Sequence, residues 1–118
     1  MGNPVVHFEI TGKDTAALQS FYRDAFDWRL VEQPGYAMAH PDADTGISGG
    51  IGPAIDAGPG HVTFYIGVDD LAAALARIET LGGRAVVGPI DVPGGPSIAL
   101  FADPEGHVVG LVKTPADS

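Results

Sequence analysis

The sequence predicts an α+β domain made of two successive βαβββ modules, and three observations carry that reading. A strand running into a capped helix is written twice, as Val6-His7-Phe8-Glu9-Ile10 before Lys13-Asp14 and as His61-Val62-Thr63-Phe64-Tyr65-Ile66 before Asp69-Asp70. A Pro/Gly linker separates the copies almost at the midpoint of the chain. Each copy then continues with short apolar segments punctuated by turn residues, the mark of strands rather than further helices.

Both opening strands alternate. Val6, Phe8 and Ile10 form one face against His7 and Glu9, and Val62, Phe64 and Ile66 form one face against His61, Thr63 and Tyr65. From His7 to Phe26 is 19 residues and from His61 to Leu81 is 20, so the two histidines are expected at matching places, each opening a polar strand face. Asp14 is placed to cap a first helix whose Leu18, Phe21, Tyr22, Ala25 and Phe26 fall on one stripe. Strands are then expected at residues 27–32, 36–40 and 47–51, with a turn at Pro34-Gly35. In the second copy, Asp70 to Leu81 is a helix that Gly82-Gly83 ends. Strands follow at 84–87, 96–101 and 107–113, the last two joined by Asp103-Pro104-Glu105-Gly106, which has the residue order of a type I turn. The expected organisation is a single domain over 1–118, with module one at about 4–52, a linker at 53–60 and module two at about 61–113, followed by a short tail.

Composition narrows the function. Six basic against fifteen acidic residues give a formal charge of −9, which leaves too little positive surface to neutralise a nucleic-acid backbone. No run approaches the ~20 apolar residues of a membrane span, and the amino terminus lacks the basic and apolar regions of a signal peptide. The chain has no cysteine, which removes disulfide, thiolate and cysteine–zinc chemistry and suits a reducing, cytoplasmic location.

With the duplication, the histidine-led strands, the Phe21-Tyr22 pair ending in Phe26-Asp27-Trp28 and the Asp103-Pro104-Glu105-Gly106 turn, the chain resembles the vicinal oxygen chelate superfamily. That group includes glyoxalase I, extradiol dioxygenases and bleomycin-resistance proteins. The resemblance implies that the modules curl into a curved mixed sheet around a cavity, where metal-dependent members hold a divalent ion with one ligand from the first and last strand of each module. On that pattern His7 and His61 match the first-strand ligands. The last-strand glutamate position falls on Gly110, and its counterpart in module one falls near Gly49 or Gly50, so the implied metal site is incomplete.

Glu9 shares a strand face with His7, and a carboxylate beside an imidazole is a possible acid–base pair. Thr63 and Tyr65 share the face of His61 and are placed to orient a polar ligand. Val108 and Gly110, with Val112, make an apolar wall, and Trp28 and Phe101 offer ring contacts. Two functions follow. One is a small-molecule binding protein of the resistance type for an apolar or aromatic ligand, working as a homodimer without a tightly held metal. The other is a metal-dependent lyase, isomerase or dioxygenase using His7, His61 and further ligands.

Overall fold

A computed structural model describes residues 2–33, 35–54, 58–92 and 95–114. Pro34, part of the expected linker (55–57) and most of the expected tail (115–118) lie outside the described residues. The α+β class is borne out, with two helices and eight strands in mixed parallel and antiparallel pairing. Among the described residues no helix is long and apolar enough to cross a membrane.

The chain divides into two compact units, one over Val6–Thr63 and the other joining the residues up to Val5 with those from Phe64 onward. The first unit holds β1 (Val5–Gly12), α1 (Thr15–Phe26), β2 (Arg29–Gln33), β3 (Tyr36–His40) and β4 (Gly49–Pro53). Its strands run in the order β2-β3-β4-β1, antiparallel except for the parallel pair β1–β4. The second unit holds β5 (Val62–Val68) from Phe64 onward, α2 (Leu71–Thr80), β6 (Arg84–Asp91), β7 (Ser97–Ala102) and β8 (Val108–Lys113). It repeats the same arrangement as β5-β8-β7-β6, with β5–β8 the parallel pair. Two copies of one βαβββ path are therefore present.

The helices start where the sequence indicates. Asp14 accepts a hydrogen bond from the Ala17 amide and Asp70 from the Ala73 amide, both at 3.0 Å, each satisfying one of the unpaired amides of a first turn. The strands differ in their ends. β1 extends past the Val6–Ile10 motif through Thr11-Gly12, because these residues find partners in Gly52 and Pro53 of β4. β2 begins only at Arg29, since Asp27 takes a left-handed conformation (φ 56°) that closes α1. β4 sits two residues later than expected.

Apolar faces are shorter than alternation suggests. In the first unit Ile10, Ala39 and Ile51 form the core with Phe8, Leu18, Tyr22, Trp28 and Leu30, while Phe21 and Phe26 are exposed rather than on the buried stripe. In the second, Val68, Leu71, Leu75, Ala99 and Leu111 form the core with Ile66 and Phe101 against it. Val62 is 73% exposed and Phe64 41%, contrary to the expected buried face, because α2 covers only the end of β5 that carries Ile66 and Val68.

Opposite each opening strand lie glycines that make room for rings. A Cβ at Gly49 would run into the Phe8 ring, and one at Gly110 into the Tyr65 ring. At Gly50 the nearest atoms would be His7 Nε2 at 3.5 Å and Tyr36 Cδ2 at 3.6 Å, which is ordinary contact. Gly49→Ala and Gly110→Ala should therefore each lose about 1–3 kcal/mol by overpacking, whereas Gly50→Ala should change stability by less than about 1 kcal/mol. Urea-unfolding midpoints of the three variants check this ordering.

Candidate functional site

In the first unit the strand residues that face α1 are Phe8, Ile10, Leu30, Ala39 and Ile51. Alternation then puts His7, Glu9 and Thr11 of β1 on the opposite face, beside Gly50 and Gly52 of β4 and Met38 of β3. Glu9 is paired with Gly50 and Thr11 with Gly52, so the strand next to these side chains carries none of its own at those positions.

His61 is brought to this face by backbone bonding. Its amide donates to Thr11 Oγ1 at 3.0 Å, and its carbonyl accepts from the Thr11 amide at 2.9 Å. Gly60 is at φ 87°, and a Cβ there would run into the Thr11 carbonyl, so the close approach of the two segments requires glycine. So anchored, His61 Nε2 lies 2.8 Å from Glu9 Oε1. A carboxylate can only accept, so Nε2 carries the proton of this bond. The side chains are 31% and 25% exposed, which leaves the pair accessible to a ligand without being freely hydrated.

His7 leans over Gly50 beside Tyr36. Burial holds its imidazole below the ordinary value of 6.5, against a smaller upward pull from the Glu9 charge. His7 is therefore neutral at pH 7.

The two histidines do not occupy matching places. His7 lies seven residues before the Asp14 cap, and the residue seven before the Asp70 cap is Thr63, whereas His61 lies nine before it and precedes β5 altogether. The near-equal spacing to the helix ends arises because α1 has 12 residues and α2 has 10, which hides a slip of two. The repeated Val-x-Phe-x-Ile of Val6-Phe8-Ile10 and Val62-Phe64-Ile66 is the sequence signal for the true register. In that register Tyr65 corresponds to Glu9, and each faces a glycine across its parallel pair, Gly110 and Gly50 respectively.

The other expected site residues divide by position. Thr63 and Tyr65 are buried, and the Tyr65 ring lies over Gly110. Val108 is half-buried on the same strand. Phe101 packs with the α2-side core of the second unit. Trp28 packs with the α1-side core of the first, stacked on Tyr22 at 5.5 Å, away from the face of His7 and Glu9. Thr11 and Gly60, which hold His61, had no sequence signal beyond proximity to a strand end and a turn.

These residues do not fit the metal site of the chelating relatives. Among the described residues no group of three or more His, Asp or Glu side chains is arranged to hold an ion. His61 already spends Nε2 on Glu9, and Tyr65 fills the space beside Gly110.

The profile of the Glyoxalase/Bleomycin resistance protein/Dioxygenase superfamily matches residues 5–111. The chain belongs to this superfamily. It is 33% identical to the anthracycline biosynthesis protein DnrV of Streptomyces peucetius, in a match covering 84% of this chain and 42% of DnrV. The chain thus spans less than half the length of the curated relatives it matches. Among solved structures it resembles methylmalonyl-CoA epimerase from Mycobacterium tuberculosis, with a TM-score of 0.70 and 17% identity over 95% of this chain and 88% of that one. The Streptomyces coelicolor epimerase gives a TM-score of 0.61 and 20% identity over 97% and 96%. At such identities the likeness is one of fold.

Three substitutions have expected outcomes. Because the folded value of His7 is depressed, the unfolded chain binds more protons below about pH 6.5, so stability falls as pH drops through that value towards the lower folded one. His7→Gln should lose that component, giving a smaller stability difference between pH 7.5 and 5.5 in urea unfolding. Gly50→His should add a donor beside His7 and Glu9 and raise Zn or Ni affinity by more than about tenfold, with His7→Ala cancelling the gain in calorimetric titration. Gly110→Glu should instead destabilise, since its carboxylate must displace the Tyr65 ring.

Proposed function

We propose that this chain is a small-molecule binding module of the glyoxalase/bleomycin resistance type, taking an apolar or aromatic ligand whose polar group docks on Glu9 and His61. The observation that carries this reading is the 2.8 Å bond between those side chains, partly exposed on a face where Gly50 and Gly52 contribute no bulk. Glu9 holds the His61 imidazole by one nitrogen, and neutral His7 shares the strand face of Glu9. Kinship with a protein named for anthracycline biosynthesis supports a ligand with an extended aromatic body.

The same bond favours a second reading, proton transfer. A carboxylate hydrogen-bonded to an imidazole is a general acid–base pair, with Glu9 removing a proton from a bound carbon or oxygen acid and His61 holding the carboxylate in place. Epimerases among the fold relatives are consistent with that chemistry. A metal-dependent lyase, isomerase or dioxygenase would need donors beyond His7 and His61; Glu9 is hydrogen-bonded to His61, and among the described residues no three such side chains are arranged to hold an ion.

Thermal shift with a panel of aromatic and aliphatic metabolites, anthracyclines included, tests the binding reading. A ligand at 100 times its dissociation constant adds about 2.7 kcal/mol. Glu9→Gln should weaken the best ligand about tenfold, the worth of one charge-assisted hydrogen bond. Stabilisation by phosphorylated or polyanionic compounds alone would overturn it. Deuterium uptake into the bound ligand from heavy water, lost in Glu9→Gln, would identify the proton-transfer reading.

A further inference from the structure

The Val6–Thr63 unit carries a second polar cluster that the Glu9–His61 pair does not use. Arg29 at the start of β2 is paired directly with His40 at the end of β3, and Ser48 stands just before β4. His40 Nδ1 is hydrogen-bonded to Ser48 Oγ at 2.8 Å, and Arg29 Nε donates to Asp42 Oδ1 at 3.3 Å. With the loop that carries Asp42, Asp44 and Gly46, these residues line a cleft of about 340 Å³. That is at the small end of ligand sites, which run from roughly 300 to 1,000 Å³.

We propose that this cleft binds a small zwitterion of the α-amino acid type, its carboxylate on Arg29 and its ammonium on Asp44. Arg29 meets Asp42 through Nε alone, and its two Nη nitrogens make no hydrogen bond among the described residues. Those nitrogens form the fork that matches a carboxylate with two parallel bonds. The Arg29–Asp42 pair is more than half exposed on both sides, so it competes only weakly with a ligand carboxylate. Asp44 lines the same cleft and has no ion pair among the described residues, which supplies the opposite charge.

Charge complementarity separates this ligand class from simpler ones. A plain anion would face two carboxylates on the cleft wall of a chain with net charge −9, and a plain cation would face the guanidinium. A zwitterion satisfies both signs at once. His40 commits Nδ1 to Ser48, so its other ring nitrogen, across the ring, remains for a polar group on the ligand.

Calorimetric titration with L-serine, L-leucine and L-phenylalanine, each alongside its amide and its N-acetyl derivative, tests the proposal. The free amino acids should bind, and both capped forms should bind at least about tenfold more weakly, the loss of one charged contact. Arg29→Gln should abolish discrimination against the amides, and Asp44→Asn discrimination against the N-acetyl forms, with unfolding midpoints confirming that both variants are folded. Equal binding of the N-acetyl forms would make this an anion site, and equal binding of the amides a cation site. Either result overturns the proposal, as does no heat from any free amino acid up to about 10 mM.

Discussion

Across each parallel strand pair of this protein a glycine faces a ring, and the remaining architecture is arranged around that constraint. Phe8 lies over Gly49 and Tyr65 over Gly110, while His7 leans over Gly50. A side chain at Gly49 or Gly110 would need space the rings already hold, and close-packed interiors give little of it. The same substitution of bulk explains the chemistry. Where chelating relatives are expected to present a carboxylate on the last strand, this chain presents an aromatic ring laid over bare backbone. The donor set that remains, two imidazoles and one carboxylate, is organised as a hydrogen-bonded pair with a neighbour and not as a ligand sphere.

That pair depends on contacts remote in sequence. His61 and Glu9 are 52 residues apart and meet because Thr11 takes both the amide and the carbonyl of His61. Gly60 permits the approach by adopting a backbone conformation that other residues disfavour. A half-buried carboxylate needs hydrogen-bond partners, and the imidazole N–H supplies one for Glu9. The site is thus a product of backbone pairing first and side-chain chemistry second.

Much of the fold was legible from local pattern. Both helix starts follow from Asp14 and Asp70, whose side chains cap in the structure as their positions indicated. The duplication was legible too, because each copy repeats an alternating strand ahead of a cap. The register within that duplication is masked in the distances to the helix ends, because the two helices differ in length by two residues. Strand alternation also overstated burial. It marks which side of the sheet a residue faces, but the exposure of Val62 and Phe64 depends on how far α2 reaches along β5.

The sequence by itself determined the βαβββ repeat, the helix caps and the polar faces of the opening strands, because these rest on periodicity and on contacts within three or four residues. Tertiary structure decided which polar residues meet. His7 and His61 do not correspond, His61 bonds Glu9, Tyr65 fills the space beside Gly110, and Arg29 and Asp42 share one cleft with His40 and Ser48. Each of those pairings joins residues on different strands or loops. Their distances are set by strand order and register, which no local pattern encodes.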